Sequence, residues 1–120
     1  MRTTEIDYAG RLPIDGYGPG GFRVAGLVHR GPLALLPEGV VAWAGLPDLA
    51  PFLERVAEFD VLLLGVGAAM APLSATAARA RSALEAEGAG TDVMATPTAC
   101  RTYNVLPGEG RRVGAALTPI

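Results

Sequence analysis

The chain has 120 residues, of which half are hydrophobic and 18% are charged. This length and composition favour one globular domain over residues 1–120 and exclude a disordered or fibrous protein. Ten arginines and twelve acidic residues give a formal net charge of −2. That balance excludes a general nucleic-acid binder, because such proteins rely on a strong positive field. The sequence has no lysine, which excludes Schiff-base chemistry on a lysine amine.

One cysteine, Cys100, and one histidine, His29, limit the remaining chemistry. No disulfide can form within the chain, and a Cys/His zinc site would lack ligands, so we expect no metal and no cofactor. The chain starts with acidic residues where a secretion signal would be apolar, which predicts a cytoplasmic protein. The uncharged stretch 61–78 is interrupted by glycine and proline, so we expect no transmembrane segment.

The first third of the chain has the pattern of short strands separated by turns. Apolar runs at 22–24, 27–29, 33–36 and 40–43 are divided by glycine and proline. This spacing predicts a meandering β-region. We expect one sheet face to carry its apolar residues, namely Val24, Leu27, Leu33, Leu35 and Trp43.

The rest of the chain alternates strands with helices. The first predicted elements are a helix 49–58 capped by Asp48, a buried strand 61–64, and a helix that Ser74 caps and that runs to Glu87, closed by Gly88. They are followed by a strand 91–95, a helix that Thr96 caps and Pro97 opens, running to about Val105 and stopped at Pro107 and Gly108, and a strand 111–117. This β-α-β-α-β order predicts an α/β fold with a sheet covered by helices.

Two glycines and a helix start are expected to meet at one edge of that sheet. Gly65 and Gly67 end the buried strand, and Thr96 opens the last helix after the next strand. Free N–H groups there could hold an anion or small molecule, so the candidate binding residues are Gly65, Gly67, Thr96, Thr98 and Arg101. The structural alternative is that Thr96 only caps its helix. A dinucleotide site is disfavoured, because Met70 stands where the fingerprint needs a small residue.

Cys100 lies in the first turn of the last helix, where a thiol pKa is often lowered. No sequence feature brings His29 to it, so a small core residue is the favoured interpretation. The sequence therefore provides no complete catalytic set. Tyr17, Arg23 and Arg30 in the β-region are residue types that anchor protein interfaces, and they are the candidate partner-binding residues.

A long string around the last helix resembles a known family. The string is Thr96-Pro97-Thr98-Ala99-Cys100-Arg101-Thr102-Tyr103-Asn104-Val105-Leu106, followed by Glu109, Arg111 and Ala115-Ala116-Leu117. Upstream matches are Tyr17-Gly18, Gly21-Phe22, Gly31-Pro32, Leu36-Pro37, Trp43 and 61–67. Together they resemble the family built on domain of unknown function 498, which has an MTH-938-like fold.

The resemblance implies a three-layer α/β domain: a mixed central sheet, helices on its faces and a small extra β layer from the N-terminal third. The family has no established activity, cofactor or catalytic residue. Mitochondrial members act with partner proteins in assembling respiratory complex I at the inner membrane. The resemblance therefore implies a non-catalytic interaction or assembly module in respiratory-complex or inner-membrane protein biogenesis. As a bacterial relative, it would be cytoplasmic or peripheral to the inner membrane. The alternative is the ligand-binding edge at 65–67 and 96–101.

Overall fold

The structure is a computed structural model that describes residues 12–106 and 110–120. The strands in these residues are β1 (Ile14–Gly18), β2 (Gly21–Val24), β3 (Leu27–Arg30), β4 (Leu33–Leu36), β5 (Gly39–Val41), β6 (Val61–Gly65), β7 (Gly90–Met94) and β8 (Val113–Leu117). The helices are α1 (Ala50–Glu54), α2 (Ala75–Ala86) and α3 (Thr96–Val105), with a short 3-10 turn at Val56–Glu58. The helix stop expected at Pro107 and Gly108 lies outside the described residues, as do Glu109 and the acidic start of the chain.

The strands form two sheets. A five-stranded sheet has the order β5-β4-β8-β6-β7, in which β6 is parallel to β7 and β8 whereas β4 is antiparallel to β5 and β8. The first three strands form a separate antiparallel sheet in the order β1-β2-β3. The central sheet is therefore mixed, and a small N-terminal sheet accompanies it, as the resemblance implied.

Alternating residues of the central strands feed two separate cores, because successive side chains of a strand point to opposite faces. On β4, Leu33 and Leu35 join the core formed by α3 and the small sheet. Ala34 and Leu36 join the opposite core, to which α1 and α2 contribute Phe52 and Leu84. The central sheet is thus the middle one of three layers, and the fold class predicted from the sequence is confirmed.

The predicted single face of the β-region is wrong. Val24 lies in the small sheet, whereas Leu33 and Leu35 lie in the central one. Leu27 is 66% exposed, and Trp43 packs against the opposite core with its ring edge-on to Phe52. The reason is a break at residues 31–32, where a glycine with φ +81° and a proline take the chain out of one sheet and into the other.

Helix limits in the second half follow local signals. Ser74 caps α2, and its Oγ accepts a hydrogen bond from the Ala77 N–H at 3.1 Å. Gly88, with φ +100°, follows the end of that helix in the left-handed conformation that glycine favours. The prediction that Asp48 caps the next helix is wrong, because the N-cap of α1 is Leu49, although Asp48 Oδ1 accepts from the Ala50 N–H at 2.9 Å. The helix predicted over 49–58 is divided into α1 and the 3-10 turn.

Two clamps join distant parts of the chain. The Asn104 amide on α3 accepts from the Ile14 N–H at 3.0 Å and donates to the Ile14 carbonyl at 2.9 Å. At the start of β6, Asp60 accepts from the Arg112 N–H at 2.9 Å and from its guanidinium at 3.1 Å. The Arg112 bonds hold the pKa of the Asp60 carboxyl below its usual value. The first clamp attaches the small sheet to α3, and the second aligns β6 with β8.

Candidate functional site

The carboxyl edge of the central sheet brings Gly65, Gly67 and Thr96 together, as the sequence predicted. Thr96 is fully buried, and its N–H donates to the Gly67 carbonyl at 2.8 Å. Its Oγ1 accepts from the Gly67 N–H at 2.9 Å and donates to the Thr118 carbonyl at 2.7 Å. We call these four residues the edge knot. One threonine there links the chain segments that follow β6 and β8 to the start of α3.

The first glycine of the edge knot is required by packing. A Cβ on Gly65 would lie 2.9 Å from Thr96 Oγ1 and 2.9 Å from Leu117 Cδ2. Gly67 is required by its backbone, because its φ is +115°. The two glycines thus let the strand end pass directly against the start of α3.

The hydrogen-bond donors of this edge are largely engaged within the protein. At the start of α3, the Thr96 N–H bonds Gly67, Pro97 has no N–H, and the Ala99 N–H bonds the Ala95 carbonyl at 3.0 Å. The N-cap of α3 is Ala95, so the expectation that Thr96 caps the helix is wrong. Its hydroxyl bonds other segments instead, because the residue is already the first of the helix and buried against β6.

Thr98 and Arg101 lie apart from the edge knot, on the exposed side of α3. Arg101 Nη2 is 3.4 Å from Thr98 Oγ1, and the Thr98 carbonyl accepts from the Thr102 hydroxyl at 2.8 Å. An open pocket of about 310 Å³ lies at the same edge of the sheet, lined by residues such as Val66, Pro72, Leu73 and Thr118. None of the five predicted ligand residues lines that pocket.

Cys100 is buried in the core beneath α3, among Ala99, Tyr103 and the residues of the small sheet. Burial raises the pKa of its thiol to about 11, although Arg101 opposes part of that rise. His29 lies on β3 opposite Phe22. Among the described residues no hydrogen bond joins His29 to Cys100, and a neutral buried thiol is a poor nucleophile.

The small sheet carries an open concavity of about 330 Å³ on its outer side. Tyr17, Arg23 and Arg30, the three predicted partner-binding residues, all line it. Its other principal lining residues are Asp15, Gly16, Gly18, Gly21 and Val28. We call this concavity the glycine trough. The structure thus brings together three residues that the sequence had only nominated by type.

Strand register explains the shape of the trough. Directly opposite residues of antiparallel strands share a face, and the pairs Gly16 with Arg23, Gly18 with Gly21, Arg23 with Val28, and Gly21 with Arg30 all occur. Glycines therefore form a floor without side chains, and arginines with Val28 form the walls. Phe22 and Val24 point the other way and are buried.

The trough has unpaired positive charge. Within residues 12–106 and 110–120, neither Arg23 nor Arg30 forms an ion pair or side-chain hydrogen bond, whereas Arg55, Arg81 and Arg112 each pair with an acid. The acidic lining residue is Asp15, whose Oδ2 accepts from the Gly26 N–H at 2.6 Å. In a chain with net charge −2, this surface has a local excess of positive charge.

Apolar exposure accompanies that charge. Tyr17 is 41% exposed, and Val28 is 61% exposed on β3, an edge strand of the small sheet. An exposed apolar edge strand invites pairing with another chain. Neither Val28 nor any of the three floor glycines was predicted from the sequence to be a site residue. The sequence shows Gly16 and Gly18 two residues apart in a strand, but it does not show the strand register that aligns them with Gly21 and Val28.

No helix in the described part of the chain is long and apolar enough to cross a bilayer. In the same residues, no group of three or more His, Cys, Asp or Glu side chains is placed to hold a metal ion.

The sequence model of a family described as "protein of unknown function (DUF498/DUF598)" matches residues 14–118, from the first residue of β1 to just beyond β8. The chain belongs to the DUF498 family. The match includes both the edge knot and the glycine trough. An uncharacterised protein of Rhodobacter capsulatus is 48% identical over all of this chain and 94% of its own length.

Eukaryotic relatives of this DUF498 chain have a functional name. NADH dehydrogenase (ubiquinone) 1 alpha subcomplex assembly factor 3 of Danio rerio is 34% identical over 88% of this chain and 63% of the relative. The human protein of that name is also 34% identical, over 88% of this chain and 60% of the relative. This chain thus spans about three fifths of the length of these assembly factors, and it is homologous to them.

Solved structures of similar proteins support the fold of this DUF498 chain. A Bartonella henselae protein described as an outer membrane protein has a TM-score of 0.79 and 36% identity, covering 93% of this chain and 98% of that one. A Bordetella pertussis protein described as a Mth938-like domain has a TM-score of 0.72 and 28% identity, covering 99% and 92%. The fold is therefore Mth938-like.

Proposed function

We propose that this chain is a non-catalytic assembly factor that binds a protein partner during biogenesis of a respiratory complex or an inner-membrane protein. It would act in the bacterial cytoplasm or at the inner-membrane surface. The proposal rests first on homology to proteins named as assembly factors of NADH dehydrogenase. The structural observation that carries it is the glycine trough, in which two unpaired arginines lie beside exposed Tyr17 and Val28.

The composition of the trough fits a protein interface. Tyrosine and arginine are enriched among the residues that dominate binding energy in protein interfaces. An exposed edge strand adds backbone groups that a partner can pair with. The floor residues Gly16 and Gly18 would let a partner backbone approach the sheet closely.

The alternative, a ligand site at 65–67 and 96–101, has less support. Thr96 bonds both Gly67 and Thr118, so an anion would have to break those bonds to use the Gly67 N–H and the Thr96 N–H and hydroxyl. Thr98 and Arg101 contact each other on the outside of α3. The buried thiol of Cys100, with a pKa of about 11, is also unsuited to nucleophilic chemistry at neutral pH.

Complementation of a deletion strain of the native organism tests the proposal. The strain receives the wild-type chain or the double variant Arg23→Glu/Arg30→Glu, each with an affinity tag. Assembled complex I and its membrane activity are measured, and co-purified proteins are quantified by mass spectrometry. Arg79→Glu provides the control, because Arg79 is an exposed arginine on α2 whose guanidinium, among the described residues, hydrogen-bonds Thr76 and pairs with no acid.

We expect the double variant to fold normally, to lose the co-purifying partner and to fail in rescue. Arg79→Glu, Thr98→Val and Cys100→Ala should rescue fully. The proposal fails if the deletion leaves respiratory-complex and inner-membrane protein assembly intact. It also fails if only substitutions at 65–67 and 96–101 matter and a metabolite co-purifies.

A further inference from the structure

The glycine trough contains two glycines that side-chain packing does not require. Gly16 follows a shift in strand register after Ile14, Gly18 is the last residue of β1, and neither has a positive φ. A Cβ at either position would meet no atom within 4 Å. Gly21 differs, because its Cβ would lie 2.7 Å from the His29 carbonyl oxygen. Glycine in a strand marks a bulge or a place where another backbone comes close, and the open space at both positions leaves room for such a backbone.

The two arginines are spaced like alternate residues of an extended chain. Arg23 lies directly opposite Val28, so Arg30 is its diagonal neighbour on the adjacent strand. Diagonal neighbours in antiparallel sheets are about 7–8 Å apart. Residues i and i+2 of an extended peptide project to the same side about 6.8 Å apart. Two carboxylates at alternate positions of an extended segment would therefore reach both guanidinium groups.

We propose that the glycine trough binds an extended acidic segment of the partner protein, with carboxylates at alternate positions paired to Arg23 and Arg30. The segment's backbone lies over Gly16 and Gly18, and an apolar side chain packs against Val28. The inference rests on the proposed function, since it names the chemistry of that partner. Arginine suits this role because its planar guanidinium binds a carboxylate through two parallel hydrogen bonds.

Asp15 is the acidic residue of the lining. Its carboxylate lines the trough and accepts a hydrogen bond from the Gly26 N–H at 2.6 Å. It lies next to Gly16, which pairs with Arg23, whereas Arg30 pairs with Gly21 toward the other end of the trough. A partner carboxylate bound to Arg23 must therefore approach from the side away from Asp15.

A direct binding experiment tests the chemistry. The full chain labelled with ¹⁵N is titrated with the heptapeptide Glu-Val-Glu-Thr-Glu-Val-Glu and followed by NMR. A peptide of the same composition with its glutamates consecutive, and a peptide with lysine in place of glutamate, are the controls. We expect saturable, salt-sensitive shifts at Gly16, Gly18 and Val28 with the alternating peptide, and weaker binding of both controls.

Two kinds of variant separate charge from space. Arg23→Glu/Arg30→Glu should lower the affinity for the alternating peptide at least about tenfold, since hydrogen bonds between charged groups contribute that much or more. Gly16→Val leaves the charge unchanged but fills the floor, and it should weaken binding while the protein stays folded. Arg79→Glu should bind like the wild type. Absence of saturable shifts, shifts elsewhere, or equal binding of the lysine peptide would overturn the inference.

Crosslinking in cells distinguishes this inference from the proposed function. A photo-crosslinking amino acid is placed at Val28 or, as a control, at exposed Leu53 on α1. Crosslinks from position 28 to a partner segment with alternating carboxylates support both the assembly role and the binding of that segment in the glycine trough. A partner that co-purifies with the wild type but crosslinks only from position 53 leaves the assembly role standing and overturns the trough. Crosslinks from position 28 to a second copy of this chain also overturn it. If the peptide binds the purified chain as expected but the deletion strain has no assembly defect, only the assembly role is rejected.

Discussion

The same three-residue pattern, glycine-x-glycine, occurs at 16–18 in the small sheet and at 65–67 at the carboxyl edge, with opposite physical roles. Gly65 has no room for a Cβ, and Gly67 needs its positive φ. Gly16 and Gly18 have open space for a Cβ, and neither has a positive φ. The comparison shows that a glycine pattern alone does not locate a binding site. What separates the two regions is whether the surrounding polar groups are already engaged.

The polar groups of the edge knot bond one another and hold three chain segments together. The arginines of the glycine trough have no such bonds among the described residues. Substitutions in the edge knot should therefore cost stability, and substitutions in the trough should cost binding. Four predictions test that division, in decreasing order of the expected effect.

The largest effect should come from Tyr103, which packs in the core between α3, the small sheet and the central sheet. The side chain is 1% exposed. Tyr103→Ala should lower the free energy of unfolding by about 3 kcal/mol, because it leaves a large cavity. Urea denaturation followed by circular dichroism measures the change. An unchanged midpoint would show that the buried ring contributes little to stability.

The two glycine pairs give a matched comparison. Gly65→Ala should lower the free energy of unfolding by about 1–3 kcal/mol, since its Cβ would press on Thr96 and Leu117. Gly16→Ala should leave stability unchanged or raise it by up to about 1 kcal/mol, because alanine is less flexible than glycine in the unfolded chain. Thermal melts of both variants measure the two changes. Equal destabilisation at the two positions would show that the glycines of the edge knot and of the glycine trough do not differ in their role in stability.

Thr96 and Thr98 form the second matched pair. Thr96→Val keeps the shape but leaves the Gly67 N–H and the Thr118 carbonyl without their hydroxyl partner. We expect a loss of about 2 kcal/mol in the free energy of unfolding. Thr98→Val, on the exposed side of α3, should change it by less than about 0.5 kcal/mol. Chemical denaturation of both proteins gives the values, and a small effect at Thr96 would show that the edge knot is dispensable.

At neutral pH the smallest effect concerns the thiol of Cys100, because its contribution changes only in alkali. Its pKa is about 11 in the folded protein, against an ordinary value of 9.0. The unfolded chain therefore ionises first as the pH rises. The thiol's contribution to stability is complete below pH 9 and is lost between about pH 9 and 11. Comparing the wild type with Cys100→Ala over this range isolates that contribution.

Reactivity provides the control for Cys100. Iodoacetamide should modify the folded protein slowly at neutral pH and quickly in urea, because only unfolding exposes the thiol and returns its pKa to the ordinary value. Rapid alkylation of the folded protein at neutral pH would contradict the buried, neutral thiol. It would also make Cys100 a candidate for chemistry again.

Much of the second half of the fold could be predicted from local sequence. The aliphatic run of β6, the Ser74 cap and the glycine after α2 each act through neighbours within a few residues. Such signals depend on side-chain size, backbone freedom and a nearby hydroxyl, all of which the sequence shows directly. The family motif at 96–106 extended this local information to the whole architecture.

Long-range register and hydrogen bonding decided the rest. The amide of Asn104 bonds Ile14 across 90 positions of the chain, and Thr96 bonds Gly67 across 29. No local pattern shows such pairings, so the residue pattern alone assigned the β-region to one sheet face, and only the family resemblance implied a separate N-terminal layer. For the same reason Thr96 was expected to cap its own helix. Residue type alone nominated Tyr17, Arg23 and Arg30. Only the strand register placed both arginines on the face of the glycine floor, because residues opposite each other in neighbouring strands share a face, and only the folded hairpin brought Tyr17 to the same concavity.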